Sequence, residues 1–332
     1  MDRKLLAISV GGILLLGIIF GSTIHAAEVK RYTIASGTMG GDWRIGMGAV
    51  VQLLNEKFKE KYFFTIAATA GGTENVRRMA TGEYQSGLAH VFTMAEAWNA
   101  EGLFEGKKPF KEMKVLLRTT DQPLGVAALA KSSIKKFPDL IGKRVNLGPP
   151  GSGNLYVGTV VLKALGLLDK VKVGHLNNTA GAEALRDGQI DAVMMPGAPF
   201  MSPSLIEISR SVDIRLIEPA TEEANKVVKD VPYLYVDVIP PNKAPGENAN
   251  RERKAFFWSV FWIALGEMPD EVIYDMLKVT YDNREDLGKV VGYWATAGPS
   301  FSSLEKLGIP YHLGAVKFWK EKGIKFPPDL AK

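Results

Sequence analysis

The chain has no cysteine. Disulfides, thiolate metal sites and a cysteine nucleophile are therefore excluded. An exported protein built this way is held by its core alone, which fits a bacterial periplasmic protein better than a small disulfide scaffold. Histidine is scarce too, with four residues in all. His90, His175 and His312 are far apart and show no metal-ligand spacing. Nucleotide signatures are also missing. Gly142-Lys143-Arg144 lacks the Ser or Thr that completes a P-loop, and Gly151-Ser152-Gly153 supplies two glycines of a dinucleotide fingerprint but has Tyr156 where the third belongs. Ser152 is no hydrolase elbow, because Pro150 and Asn154 stand where glycines are needed. No carboxylate pair is singled out. These residues give no positive sign of an enzyme, and neither a metal nor a cofactor is expected. A nucleic-acid footprint is lacking as well: 41 basic residues are scattered among 36 acidic ones for a net charge of +5, with no basic stripe carrying interleaved aromatics.

What is present is ordinary globular material, 332 residues that are 46% hydrophobic and 23% charged. That length exceeds what one core usually serves, so two domains are expected. At the N-terminus Arg3 and Lys4 precede an apolar run from Leu5 to Phe20, and small and polar residues lead to Ala26 and Ala27. This is the layout of a secretory signal peptide over residues 1–27. Its apolar run of about 16 residues is shorter than the roughly 20 that span a bilayer, so a cleaved leader and a free periplasmic chain are expected. Asp2, Arg3 and Lys4 sum to +1, which leaves +4 on the mature chain. That mild excess helps to collect small anions.

From Arg31 the pattern is strand, glycine loop, helix. Tyr32 to Ala35 reads as a β run, SGTMGG (Ser36 to Gly41) breaks it, and Ala49, Val50, Leu53 and Leu54 recur at helical spacing up to Phe58. A second β run, Phe63 to Ala68, leads into TAGGTEN (Thr69 to Asn75) and a helix through Met79. Gly82 closes that helix, and Ser86 to Val91 returns as a strand. The same order reappears about a hundred residues on. Lys143 to Leu147 is a β run, GPPGSGN (Gly148 to Asn154) breaks it, and a helix follows to about Leu168. Val171 to Leu176 is the next strand, Thr179-Ala180-Gly181 opens a helix through Arg186, and Ile190 to Met195 closes the copy. The repeat implies two similar α/β lobes, each offering glycine-rich helix starts at the carboxyl edge of parallel strands, where open α/β sheets bind ligands. Lys254 to Leu265 (KAFFWSVFWIAL) and Pro269 to Tyr281 read as aromatic-rich helices, with Phe256, Phe257, Phe261 and Trp262 assigned to the core. Val115 to Thr120 and Tyr233 to Ile239 are the candidate crossovers. The expected domains are residues 28–120 plus 236–332 for lobe I and 121–235 for lobe II.

The chemistry left is a set of helix starts with free N–H groups beside Ser, Thr or Asn side chains, which suits an anion held from two sides. Without the P-loop lysine, a carboxylate fits better than a nucleotide. Met39 and Trp43 beside the first loop offer apolar wall for a short carbon chain.

Five stretches in order, SGTMGGDWRIGMGAVVQLLNEKF, TAGGTENVRRMATGEYQSGLAHV, DLIGKRVNLGPPGSGNLY, LRDGQIDAVMMPGAPF and GIPYHLGAVKFWKEKGI, together resemble the TAXI branch of TRAP transporter solute-binding proteins. The resemblance spans nearly all of the chain after the leader. It implies a two-lobed periplasmic-binding-protein fold: two Rossmann-like α/β domains joined by hinge strands, with the ligand cleft between them. It implies a monomeric receptor that closes on a small carboxylate, a glutamate-like amino acid or short dicarboxylate, and delivers it to TRAP permease subunits, fused or separate. Family binding positions fall on Ser36, Gly37, Thr38, Met39, Gly40 and Gly41. They continue at Trp43, Thr69, Thr73 and Asn75, then Gly151, Ser152, Gly153 and Asn154, and Pro199 of PGAPF, with His90 near a polar family position. The sequence departs from the family at Trp43, where Tyr is usual, at Gly72, where Ser is common, and at Ile45 and Met47, which replace Pro and Gly. The nearest alternative is the receptor of an ABC importer of the nitrate, sulfonate or thiamine-precursor kind. A periplasmic enzyme on the same scaffold is the alternative from another class.

Overall fold

A computed structural model describes residues 29–37, 42–150, 152–197 and 200–332. The expected leader, residues 38–41, Gly151 and Pro199 lie outside the described residues. Among those described, no helix is long and apolar enough to cross a membrane.

The first α/β unit comprises β1 (Lys30–Ala35), α1 (Asp42–Phe58), β2 (Tyr62–Ala67), α2 (Gly72–Ala80) and β3 (Ser86–His90), followed by α3 (Val91–Asn99). Helix α1 buries Met47, Val50, Val51 and Leu54, the spacing of one apolar stripe, with Asp42 in its first turn and Lys57 in its last. A long strand, β4 (Met113–Leu129), leads to the second unit: β5 (Arg144–Asn146), α4 (Gly153–Ala164), β6 (Lys172–Gly174), α5 (Asn178–Arg186) and β7 (Ala192–Pro196). Then come α6 (Pro203–Ile208), β8 (Ile214–Leu216), α7 (Thr221–Asp230), β9 (Tyr235–Ile239) and a second long strand, β10 (Arg253–Leu265). The helices α8 (Asp270–Asp282), α9 (Arg284–Val290), α10 (Ser302–Leu307) and α11 (Leu313–Glu321) complete the chain.

Each unit places its first strand between the other two. β1 pairs in parallel with β2 and β3, and β5 pairs in parallel with β6 and β7. The units are joined edge to edge through the long strands, in the order β2-β1-β3-β10-β4-β7-β5-β6. β4 pairs with β10 up to Pro123 and with β7 from Leu124 to Ala128. β10 pairs with β3 from Val260 to Ala264 and with β9 from Arg253 to Phe257. The repeat read from the sequence is therefore real, and two continuous strands pass between its copies.

One expectation is overturned. Lys254 to Leu265, read as a helix, is the greater part of β10. Every residue of this strand except Lys254 is buried. A strand covered on both faces loses the alternation that usually marks it and becomes a continuous apolar run, which periodicity cannot separate from a buried helix. The density of Phe, Trp, Val and Ile was the available β signal. Phe256, Phe257, Phe261 and Trp262 are core residues as expected, but as members of a central strand. Tyr233 to Ile239, expected as a crossover, contributes β9, which flanks β10.

Candidate functional site

The carboxyl ends of all six parallel strands converge on one cavity of about 290 Å³. Gly37 follows β1, Gly71 to Thr73 follow β2, and His90 ends β3. Ser152 to Asn154 follow β5, Asn178 follows β6, and Pro196 and Gly197 end β7, with Asp42, Trp43 and Gln122 completing the wall. This is the carboxyl-end crevice that open α/β sheets use for ligands, here assembled from two units at once.

The starts of α2, α4 and α5 open into it, beside the first residues of α1 and α6. At α2 the preceding residue, Gly71, has φ 126°, a conformation that a side chain would strain. Asn75 N–H donates back to the Gly71 carbonyl, so the N–H groups of the first helical residues have no helical partner. At α4 Ser152 is the N-cap, its Oγ accepting from Leu155 N–H at 3.2 Å. At α5 the Asn177 side chain accepts from Ala180 N–H, and the neighbouring Asn178 accepts from Asn154 Nδ2. Among the described residues the lining contains no lysine or arginine, so the favourable charge they offer an anion comes from helix ends.

His90 lies between two of these starts. A methyl group on Gly72 would come 3.3 Å from its Cδ2, and one on Gly153 would come 2.9 Å from its Nε2. Its ring stacks on Phe92 with centroids 4.8 Å apart and an interplanar angle of 13°, and the tilted Trp43 ring also lies 4.8 Å away. Trp258 Nε1 donates to His90 Nδ1 at 3.1 Å. Burial in this aromatic setting pushes the imidazole pKa down to about 3, so His90 is neutral at ordinary pH. Phe92 in turn stacks on Tyr156 of α4, centroids 4.4 Å apart, and Tyr156 shares a hydroxyl hydrogen bond of 2.7 Å with Tyr233. An aromatic column thus links the two units beside the cavity. Asp42, the one acidic residue among the described residues of the lining, has its carboxyl raised above the usual value by burial.

Of the residues singled out from the sequence, Gly37, Trp43, Thr73, His90, Ser152, Gly153 and Asn154 line the cavity. Ser36, Thr69 and Asn75 do not. All three are buried, and their polar atoms engage one another. Asn75 Nδ2 donates to the carbonyls of Ser36 and Leu88, Thr69 Oγ1 donates to Asn75 Oδ1 at 2.6 Å, and Ser36 Oγ donates to the Ala67 carbonyl. This network ties the loops after β1 and β2 to β3 from behind the wall. Thr38, Met39, Gly40, Gly41, Gly151 and Pro199 lie outside the described residues.

Sequence reasoning did not single out Asp42, Gln122, Pro196, Gly197 or Pro203, and it reached Asn178 only as part of a candidate helix start. Asn178 lies in the stretch NNTAG, a recognisable helix start. Gln122 carries no local signal, because it enters the cavity only where β4 passes from one unit to the other. Its Oε1 is enclosed without a hydrogen-bond partner among the described residues. No group of three or more His, Asp or Glu residues among those described is placed to hold a metal ion.

Comparison with solved structures shows the same fold. The periplasmic sulfonate-binding protein SsuA from Methylobacillus flagellatus KT is 15% identical, with a TM-score of 0.50 over 89% of this chain and 88% of that one. XAC2383 from Xanthomonas citri, bound to chloride ion, is 12% identical, with a TM-score of 0.50 over 88% and 99%. A structure described as a periplasmic transporter is 15% identical at the same TM-score, over 90% and 95%. The architecture is thus the α/β fold of two-lobed periplasmic binding proteins. A family model for the NMT1-like family matches residues 34–323, and the chain belongs to that family.

Proposed function

We propose that this protein is an extracytoplasmic solute-binding receptor that closes its two lobes on a small organic anion, a carboxylate or sulfonate, and hands it to a membrane importer. The observation that carries the reading is the convergence of the α2, α4 and α5 starts from both units on one cavity with no lysine or arginine among its described lining residues. Such a site holds an oxyanion by oriented N–H groups and releases it readily, because no buried ion pair has to be broken. Gly37, Trp43, Thr73, His90, Ser152, Gly153 and Asn154 are its proposed contacts. Thr38 to Gly41, Gly151 and Pro199 are added on the family resemblance alone, while Ser36, Thr69 and Asn75 hold the wall in place. The proposed lobes, residues 28–120 with 236–332 and residues 121–235, are joined through the long strands β4 and β10. Closure about two such strands desolvates the ligand and changes the outer surface, coupling occupancy to partner recognition.

For the partner, an ABC importer is the first reading, supported by fold similarity to a sulfonate-binding protein assigned to an ABC transporter. A TRAP permease is the second, supported by the five stretches that resemble the TAXI branch. The site is one of retention rather than turnover, with a monomer exported to the periplasm as the working form.

A thermal-shift screen of residues 28–332 against amino acids, dicarboxylates, oxoacids, sulfonates and uncharged sugars tests the anion reading. Ligand at about 100 times its Kd stabilises the closed form by about 2.7 kcal/mol. A shift with a sugar and none with any anion refutes it. Recovery of a chemically altered solute would refute the receptor reading itself.

A further inference from the structure

The indole N–H of Trp258 can only donate, so the nitrogen it meets on His90, Nδ1, must be an acceptor. In a neutral imidazole the proton then sits on Nε2. That atom faces the start of α4, where Gly153 leaves it room. We infer that Trp258 is a positioning residue of the solute site: by donating a hydrogen bond to Nδ1 and accepting none, it commits His90 to the Nε2–H form and so directs an uncharged donor between the starts of α2 and α4. The inference rests on the anion-receptor reading.

Three features of the fold support it. Trp258 is fully buried on β10, opposite Gln122 of β4 in the register, where the two long strands cross between the units. Phe92 stacks on the imidazole and Trp43 tilts against it, so the ring has little freedom to flip and exchange its nitrogens. The positive ends of α2 and α4 oppose a charge on the ring, which keeps it a neutral donor. An oxyanion bound there receives the same N–H across the range in which a free histidine would titrate, from about pH 5 to pH 8.

The groups facing this ring from the elements around it are few. Asp42 of α1 is the acidic residue of the lining. Glu74 of α2 is held by Ala70 N–H and Arg78, and Glu96 of α3 accepts from Leu103 N–H. From α4 the nearest titratable group is Tyr156, and β4 presents the uncharged Gln122. Asp42 is thus the group whose own titration has to be separated from that of His90.

The test has two arms. The exported chain, labelled with ¹⁵N-histidine, is followed by NMR between about pH 5 and pH 8, with His90→Gln identifying the His90 signals. The expected spectrum has a protonated Nε2, an acceptor Nδ1 and no titration. In Trp258→Phe the ring stays buried and neutral, and the two neutral forms mix. The second arm measures Kd for succinate, L-glutamate and ethanesulfonate over the same range, in the wild type, in Trp258→Phe and in each combined with Asp42→Asn. With Asp42 removed, the background carrying Trp258 is expected to change by less than about 3-fold. The one lacking Trp258 is expected to weaken by about 10-fold across the whole range, because part of the population then turns an unprotonated Nε2 toward the anion. A wild-type His90 that carries its proton on Nδ1 or titrates in this range overturns the inference and leaves the receptor reading standing, and needs no variant to fold. Equal affinities with and without Trp258 overturn it too. Failure of all three probes to bind removes the anion reading and the inference with it.

Discussion

Gly153 and His90 meet across the cleft so closely that a single methyl group on the glycine would lie 2.9 Å from His90 Nε2 and 3.3 Å from Cδ2. The imidazole cannot withdraw, because Phe92 is stacked on it and Trp258 holds Nδ1. The start of α4 would have to move instead, separating the helix ends that belong to the two units. Gly153→Ala is expected to weaken anion binding by at least about 10-fold, equivalent to 1.4 kcal/mol, with little effect on unfolding by urea. Isothermal titration against any anion found in the screen measures it, and unchanged affinity would show that the two helix starts do not act on one ligand.

The cap of α4 separates charge from structure. Ser152 Oγ accepts from Leu155 N–H, so Ser152→Ala is expected to cost about 1 kcal/mol of stability. Ser152→Asp keeps an acceptor at the cap, and its charge suits the helix dipole, so stability is retained. The same carboxylate lies in the lining and repels an anionic solute, so binding is expected to fall below detection. An Asp variant that binds as well as the wild type would argue against an anion at this end of the cavity.

Asn75 is a support rather than a contact. Removing its amide leaves the buried carbonyls of Ser36 and Leu88 without their donor and frees the Thr69 hydroxyl. Asn75→Ala is expected to destabilise the protein by about 2–4 kcal/mol, since each buried group left unpaired costs about 1–3 kcal/mol. Urea unfolding checks this. A loss of affinity with undiminished stability would return Asn75 to the ligand site.

Stability should fall with acidification below neutrality. An unfolded histidine titrates near 6.5, whereas His90 is held down to about 3 by burial. Between those values the unfolded chain binds the additional proton, so the contribution is complete above the unfolded pKa and is lost as the pH falls toward the folded one. The slope from one such group reaches about 1.4 kcal/mol per pH unit. His312, also lowered by burial, adds to the same trend. Urea unfolding at several acid pH values is expected to show a shallower dependence in His90→Gln. An unchanged slope would mean that His90 is accessible to protons in the folded state.

Much of the site could be read directly. SGTMGG, TAGGTEN and GPPGSGN are helix starts because glycine permits the backbone turn and Ser, Thr or Asn can cap. Where the structure describes them, all three reach the cavity. Local chemistry announces such loops, since the turn and the cap are made by neighbours in the chain. It does not announce which way a polar side chain faces. Thr69, Thr73 and Asn75 look alike in sequence, yet Thr73 lines the cavity while the other two are bound to Ser36 behind it.

The sequence by itself determined the two α/β units, their order and the glycine loops that end their strands, because turns, caps and apolar spacing act over a few residues. Only the tertiary structure decided that KAFFWSVFWIAL is a strand. An apolar run is compatible with either element, and burial between β3 and β4 selects the extended one. The same strand brings Trp258 to His90, a contact spanning 168 residues. No local pattern encodes it, since it exists only once both units are packed on the strands that join them.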